Sequence, residues 1–522
     1  MTMARKWWTL TAVVIGVFML LLDITIVNVA LPDIQDAFHA SLSDLQWVID
    51  AYALTLAAGL LTAGSLADLF GRRLLFGIGT VIFTGGSLLC GLATGALFLS
   101  LARAGQGVGG AIMFATSLAL LSDAFRGKDR GVAFGVFGAV TGIAVAIGPV
   151  LGGFLTTGIS WRWIFLVNVP IGVVALVITA LKVSESKNPA ASRPDWFGFV
   201  TFSASLGLLV YGLISAGEDG WTTSKVLGCL IGAAVLMAIF LIGEARQRHP
   251  MLDLSLFRKP TFSGGLIAAF GMSASLFSLL TYVVLYLQKE LGYSAKDTGL
   301  RLLVLSGAIF ITAGIAGRLT TVVPIRLLIG GGFLFVGTGL LLMRGITPGS
   351  DWTHLIPGMI VAGVGAGLVN TPLASTAVGV VHPSRAGMAS GINSTFRQVG
   401  IATGIAALGS LFSTKLRDTV VEQLNHTNLA ARSHEIAATM GSAQGGTSLP
   451  KGVPAEAART VGAAAKVGFV DGLNEILLIG AVVAFVAAAG SLLLIRARDF
   501  VEADGSHAPA DRPEPATVGD NS

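Results

Sequence analysis

Fourteen long apolar runs constrain what this chain can fold into more than any other feature. A helix needs about 20 mainly apolar residues to cross a bilayer, and each run is near that length. The short alternating segments that are typical of a transmembrane β-barrel are not the pattern here. The chain is therefore predicted to be an all-α polytopic membrane protein with one transmembrane helix per run. The predicted spans lie near residues 8–31, 47–67, 74–95, 97–122, 131–157, 163–182, 196–215, 224–243, 261–287, 299–317, 324–343, 354–379, 386–410 and 471–495.

The amino-acid composition agrees with this class. Of the 522 residues, 53% are hydrophobic and only 12% are charged, against about 25% charged in soluble domains. The formal net charge of +5 does not indicate nucleic acid, because the cytoplasmic loops of membrane proteins are rich in Lys and Arg. Cys90 and Cys229 lie in separate apolar runs, so they are interpreted as core residues rather than as a disulfide or metal site. No cofactor is predicted.

The charged loops set the expected orientation. With the N-terminus inside, nineteen Lys and Arg side chains fall on inner loops and six on short outer loops or span ends, as the positive-inside rule requires. Both termini are therefore expected on the cytoplasmic side of the cell membrane. The first run follows a basic start and is too long for a signal-peptide core, so it is predicted to be retained as a span. The six outer charges are Arg162, Lys225, Lys289, Lys296, Arg301 and Arg344.

Weak internal similarity divides the chain into two halves. Residues 107–119 in the fourth span resemble residues 363–375 in the twelfth, and residues 72–79 resemble residues 325–332. Repeated halves that flank a midplane site are typical of secondary transporters. Chance similarity among Gly- and Ala-rich helices is the alternative, and the matching order of the segments argues against it.

The prediction is two six-helix bundles with pseudo-two-fold symmetry and two extra helices inserted between them. Residues 1–195 form the first bundle, residues 196–260 the inserted pair with an inner loop, and residues 261–498 the second bundle. The second bundle includes an outer loop at 411–470. Residues 499–522 are acidic and Pro-rich and are expected to be a disordered inner tail.

Five motifs, each in the matching span or loop, carry a resemblance to a known family. They read "LLDITIVNVALP" (21–32), "GSLADLFGRR" (64–73), "LSLARAGQGVGGA" (99–111), "GIAVAIGPVLGG" (142–153) and "WRWIFLVNVPIG" (161–172). Together they resemble the major facilitator superfamily, and within it the fourteen-span drug:proton antiporters. The resemblance implies proton-coupled efflux of amphipathic small molecules, such as drugs or antibiotics, by alternating access.

The loop after the second span carries a charged motif. Asp68 ends the span and lies between Gly64 and Gly71, and Arg72 and Arg73 follow four and five residues after Asp68. The arginines serve as a topological anchor in either interpretation. The resemblance implies in addition a latch between the two halves, which breaks when the transporter changes state.

The fifth span carries a strip of small residues. Gly142, Gly148, Gly152 and Gly153 lack side chains and allow close helix approach, and Pro149 removes one backbone hydrogen bond. Packing alone would explain the glycines. The resemblance implies that this strip is the antiporter motif, which seals the interface between the halves against proton leak.

Charged residues inside the spans are the candidate proton-coupling site. Asp23 on the first span and Arg103 on the fourth both lie about 10 Å below the predicted outer surface, at 1.5 Å per residue. At one depth they can neutralise each other. A static ion pair is one interpretation. The other is a proton switch, in which the carboxylate is alternately protonated or paired with cargo. Asp50 is a second candidate or a vestibule residue, and Asp33 lies at the outer mouth.

A polar patch on the thirteenth span and three aromatic residues are candidates for the substrate cavity. Packing or a satisfied hydrogen-bond network would also explain them. The resemblance implies that some cation exporters of the family carry extra acidic residues in this half. None lies at the midplane of the ninth, twelfth or thirteenth span here, which argues against a purely dicationic substrate. The candidates are Phe18, Trp47, Tyr52, Asn393, Arg397 and Gln398.

Other classes of function find less support in the sequence. All seven histidines fall in loops, at span ends or in the tail, so an enzyme with intramembrane ligands is not predicted. No G-x-x-x-x-G-K-[ST] sequence is present, which argues against an ATP-driven pump. A dedicated exporter of one metabolite and a passive channel remain alternatives. The expected partners are protons, a small amphipathic solute and the lipid bilayer, and the protein is expected to work as a monomer.

Overall fold

The computed structural model describes residues 3–125, 128–187, 194–247, 250, 252–320, 322–381, 386–442 and 457–500. Within these residues the chain is almost entirely helical and contains no β-strand.

Fourteen long helices occupy the positions of the predicted spans. Twelve of them are long and apolar enough to cross a membrane by length and composition. The other two, α2 and α5, are 29 and 31 residues long, which exceeds the length that a bilayer requires. The helices are α1 Met3–Phe38, α2 Leu42–Phe70, α3 Arg72–Gly91, α4 Ala96–Ala124, α5 Lys128–Gly158, α6 Trp163–Lys182, α7 Trp196–Asp219, α8 Ser224–Arg246, α9 Pro260–Glu290, α10 Ala295–Leu319, α11 Ile325–Met343, α12 Ile356–Gly379, α13 Ala386–Asn425 and α14 Ala458–Leu494.

The helix pairings confirm two related bundles. Helix α4 packs against α2 and α3, and α1 packs against α5 and α6; α12 likewise packs against α10 and α11, and α9 against α13 and α14. The two most extensive contacts between the bundles are those of α5 with α10 and of α2 with α13. When α1–α6 are matched in order with α9–α14, the α5–α10 contact corresponds to the α13–α2 contact, as a pseudo-two-fold axis requires.

The inserted helices break this symmetry. Helices α7 and α8 pack together, and α7 also packs against α2 and α13. Trp47 of α2 lies beside Tyr211 of α7, with ring centroids 6.3 Å apart. The inserted pair therefore covers one of the two seams between the bundles and leaves the α5–α10 seam without this cover.

The helices end at two opposite faces, a terminal face and a distal face. The terminal face carries the start of α1 and the α2–α3 turn, and the distal face carries the α1–α2 and α3–α4 turns. Hydrogen bonds that join the bundles through described residues lie between mid-depth and the distal face. Gln46 donates to Ile405 O at 3.3 Å, and Gln288 donates to Val29 O at 2.7 Å. The bundles are therefore closed against each other on the distal side.

The region between α13 and α14 differs from the predicted outer loop. Residues 411–425 continue α13 as a helix, a short helix spans Ser433–Ser442, and α14 begins at Ala458. The length of an apolar run predicts only the part of a helix that lies within the bilayer. Polar residues that continue the helix beyond the bilayer are therefore missed. The predicted tail, apart from residues 499 and 500, lies outside the described residues.

Candidate functional site

An ion pair lies inside the first bundle, as the matched depth of its two residues suggested. The Arg103 Nη1 atom on α4 contacts the Asp23 carboxylate on α1, and both side chains are almost completely buried. The Nε atom of Arg103 donates a hydrogen bond to the carbonyl oxygen of Val48 on α2 at 3.2 Å. The Tyr52 ring lies 4.1 Å from the same guanidinium. Arg103 therefore connects the buried carboxylate to α2.

Two amides that the sequence analysis did not single out complete this network. Gln106 Nε2 and Asn168 Nδ2 donate to Asp23 Oδ1 at 2.9 and 3.1 Å. The Gln106 side chain also accepts from Arg103 at 2.7 Å and donates to Ser87 at 2.7 Å. Gln106 lies one helical turn after Arg103, and Asn168 belongs to the quoted motif of the sixth span. A polar residue within an apolar run was the available signal for both.

Asp23 faces the interior of the first bundle and not the central cleft, where a carboxylate could contact a transported solute. Thr25 of the same helix lines the space between the bundles, whereas Asp23 points into the first bundle toward α3, α4 and α6. Its side chain is fully buried, and both oxygens have partners. In this conformation direct pairing of Asp23 with a solute is therefore excluded by geometry.

The other two acidic candidates lie elsewhere. Asp50 on α2 is fully buried, and neither carboxyl oxygen has a hydrogen-bond partner among the described residues. One turn earlier, Gln46 bonds Tyr282 of α9 at 3.2 Å, which places this face of α2 against the second bundle. Asp33 lies near the distal end of α1, within electrostatic reach of Asp36 and Lys289, which contact each other across the bundles.

An apolar cavity lies between the bundles on the uncovered side. Residues of α1 and α5 face residues of α9 and α10 across it. Its wall includes the end of a π-helical turn, Ser273–Phe277, which widens α9 at this level. None of the predicted aromatic candidates lines it: Phe18 and Tyr52 pack within the first bundle, and Trp47 packs against α7. The cavity wall includes Thr25, Pro149, Leu276, Phe277, Leu280 and Leu302.

The polar side chains of α13 contact two different helices, α12 and α9. Arg397 Nη2 donates to Asn370 Oδ1 of α12 at 2.6 Å, and Asn393 Nδ2 approaches Gly265 O of α9 at 3.5 Å. Gln398 is nearly buried, and its amide oxygen has no hydrogen-bond partner among the described residues. Arg397 is half-buried.

The charged turn between α2 and α3 is held by its own bundle. Gly71 adopts a φ of 124°, and a Cβ atom there would lie 2.6 Å from the carboxyl carbon of Glu185. The Glu185 carboxylate accepts from the backbone N–H groups of Arg73 and Leu74, both at 3.0 Å. Glu185 thus caps α3, which the sequence analysis missed because no motif marked it.

Another contact of this turn also lies within the first bundle. Arg73 donates to Ala180 O at 2.6 Å, at the end of α6. The Asp68 side chain lies outside the described side chains, and a Cβ atom on Gly64 would meet no atom within 4 Å. The latch role of this turn stays a prediction.

The glycine strip of α5 sits at two close helix contacts. A Cβ atom on Gly148 would lie 1.9 Å from Thr25 Oγ1, and one on Gly152 would lie 2.8 Å from Ile26 O. On the other side, a Cβ atom on Gly153 would lie 2.5 Å from Ala295 O of α10. The strip, in which Gly142 and Pro149 also lie, therefore packs α5 against α1 and against the second bundle.

Most of the chain is similar to known proteins. Residues 13–405 match the Major Facilitator Superfamily. The chain is 39% identical over 417 residues to the multidrug resistance protein Stp of Mycobacterium tuberculosis (strain CDC 1551 / Oshkosh), covering 80% of this chain and 78% of that protein. It is 34% identical over 524 residues to the tetracenomycin C resistance and export protein of Streptomyces glaucescens, covering 98% and 95%.

A solved structure shares the fold. It is a bacterial homolog of the human lysosomal transporter Spinster, in an inward-facing and occupied conformation. The two structures match with a TM-score of 0.61 and 16% sequence identity, over 96% of this chain and 100% of that chain.

Proposed function

Because the chain belongs to the major facilitator superfamily, we propose that this membrane transporter exports amphipathic small molecules, such as drugs or antibiotics, in exchange for protons. The family assignment makes the chain a transporter rather than an enzyme. The observation that carries the proton exchange is the fully buried Asp23–Arg103 pair and its link to α2. An ionisable pair at membrane depth is costly and is typical of a proton pathway.

Protonation of Asp23 would act through α2. The neutral acid no longer attracts the Arg103 guanidinium, which also holds Val48 O and stacks on Tyr52. Helix α2 in turn contacts the second bundle through Gln46. A change at the pair therefore reaches the seam between α2 and α13, where the bundles move against each other in alternating access.

Asp50 is the second protonation site of this proposal. A buried carboxylate without a partner is tolerated best in its neutral form, so we propose that Asp50 carries a proton in the conformation that is closed on the distal side. Asp33, close to the Asp36–Lys289 contact, is proposed to act at the distal entrance. Lys and Arg asymmetry supports a cytoplasmic terminal face, from which the solute would enter.

The test is transport by the purified full-length protein in proteoliposomes with an imposed pH gradient. Tetracenomycin C, the solute named for one relative, and ethidium are the probes. Wild type is expected to accumulate a probe against its gradient only while the proton gradient lasts. Asp23→Asn is expected to lose this accumulation and to keep probe binding, since Asn preserves the shape but carries no exchangeable charge.

The matched control is Asp219→Asn, which removes an exposed carboxylate that pairs with Lys225 at the distal end of α7. It is expected to transport like wild type. Full-rate export by Asp23→Asn would move the proton role to Asp50 or Asp33. Equilibration of both probes without accumulation would instead identify a passive channel.

A further inference from the structure

Arg397 is a membrane-embedded cation that has no acidic partner among the residues that the structure describes. Among the described residues, its only hydrogen bond is the one from Nη2 to the neutral amide of Asn370, at 2.6 Å. Its Nε atom is buried, and in the described part of the chain this atom has no hydrogen-bond partner and no carboxylate forms an ion pair with the guanidinium. Because a charged group at membrane depth is retained at considerable cost, this arrangement calls for a ligand.

The other intramembrane arginine of the bundle interior shows the contrast. Arg103 contacts a carboxylate, an amide oxygen and a backbone carbonyl, and it is 1% exposed. Arg397 has one neutral partner and is half-buried. The first guanidinium is satisfied by the protein itself, whereas the second keeps donors for a group that the protein does not supply.

The packing of α13 against α9 sets the level of Arg397 in the second bundle. Gly400, one turn further along α13, packs against Phe270 and Ser273 of α9, which fixes the relative level of the two helices. The apolar cavity near Leu276 lies about 11 Å further toward the distal face at 1.5 Å per residue. Its volume of about 20 Å³ is too small for a drug-sized solute, so in this conformation the solute is not placed there.

We propose that Arg397 binds an acidic group of the transported solute, a carboxylate or an acidic phenol. A planar guanidinium fork matches the geometry of a carboxylate and can donate two parallel hydrogen bonds to it. The preferred cargo is therefore an anionic or acid-bearing amphipath. This inference rests on the proposed export function.

The experiment compares two probes that differ only in charge. Anthraquinone-2-carboxylate and its primary carboxamide are titrated by equilibrium dialysis into the full-length protein in neutral-lipid nanodiscs. The carboxylate would form a charge-assisted hydrogen bond with Arg397 where the carboxamide forms a neutral one. Wild type is therefore expected to bind the carboxylate about 10- to 100-fold more tightly than the carboxamide. Arg397→Gln is expected to remove this difference by weakening the carboxylate and leaving the carboxamide unchanged.

Two further variants test the role of the positive charge of Arg397 independently of Arg397→Gln. Arg397→Lys keeps the cation and is expected to retain part of the preference. Asn370→Asp places a carboxylate where the amide now accepts from Arg397, so it is expected to abolish the preference with almost no change in shape. Arg326→Gln, which removes an exposed arginine of the same bundle, is the control and is expected to behave like wild type.

Equal binding of both probes by wild type, or equal weakening of both by Arg397→Gln and Asn370→Asp, would overturn the assignment. The transport assay keeps this failure separate from failure of the export function. Accumulation of ethidium without a carboxylate preference would leave export standing and remove only the role of Arg397. Absence of gradient-driven accumulation for every probe would remove the export function itself.

Discussion

The Nε atom of Arg103 donates a hydrogen bond to the backbone carbonyl of Val48 at 3.2 Å, while Nη1 of the same guanidinium contacts Asp23. One side chain thus joins the acid of α1 to the backbone of α2, and α2 is one of the helices at which the two bundles meet. The link explains how a carboxylate enclosed by its own bundle can influence the interface without lining it.

The first prediction concerns the free energy of unfolding. Arg103→Gln leaves the buried Asp23 carboxylate without its cation, which costs about 3–5 kcal/mol when a buried pair loses one partner. The double variant Asp23→Asn/Arg103→Gln removes both charges and is expected to regain most of that loss. Thermal unfolding in detergent measures both effects. A double variant that unfolds below Arg103→Gln would contradict the charge-pair explanation.

The second prediction concerns the α5–α10 seam. Gly153→Ala places a Cβ atom 2.5 Å from Ala295 O, so the distal contact between the bundles must loosen. Overpacking of this kind costs about 1–3 kcal/mol, which is expected to favour the conformation that opens on the distal side. Asn28 of α1 accepts a hydrogen bond from Thr281 of α9 at 3.0 Å, so it lies where the bundles meet. Maleimide labelling of a single cysteine at this position, in a background with Cys90 and Cys229 replaced, reports the opening.

Gly158→Ala is the control for this seam, because a Cβ atom at Gly158 would meet no atom within 4 Å. It is expected to label like the parent protein. Identical labelling of both alanine variants would show that the glycine contact does not hold the distal side closed.

The third prediction concerns the Asp36–Lys289 contact across the bundles. Lys289→Glu places a third carboxylate beside Asp33 and Asp36, and exposed charge pairs contribute about 0.2–1 kcal/mol. Distal labelling at position 28 is expected to rise by a small factor in low salt, and the rise is expected to shrink at high salt. Lys225→Glu, on the inserted α8, should leave labelling unchanged. An effect that persists in molar salt would argue against a Coulombic gate.

The fourth prediction concerns the turn that Glu185 caps. Gly71→Ala introduces a side chain at a φ of 124° and against the Glu185 carboxylate, and such backbone strain costs about 1–3 kcal/mol. Gly64→Ala is the matched control, since it meets no neighbour within 4 Å. In a thermal unfolding measurement, Gly71→Ala is expected to unfold at a lower temperature than Gly64→Ala. In a Glu185→Ala background the cost of Gly71→Ala is expected to fall, because only the backbone strain remains.

Several features followed from the sequence alone. Run length and hydropathy located the helices that cross the membrane, because a bilayer requires about 20 apolar residues per span. The repeated segments indicated two related halves, which the helix pairings confirm. A fixed rise per residue placed Asp23 and Arg103 at one depth, and the two side chains are in contact.

Only the tertiary structure decided which way each polar side chain faces. A helix that is apolar all round carries little periodicity, so its rotation about its own axis is set by packing against its neighbours. That rotation turns Asp23 toward Gln106 and Asn168 rather than toward the cleft. It also leaves Arg397 beside a single amide. Sequence fixes depth because depth is counted along the chain, whereas the partners of a buried charge come from helices far away in sequence.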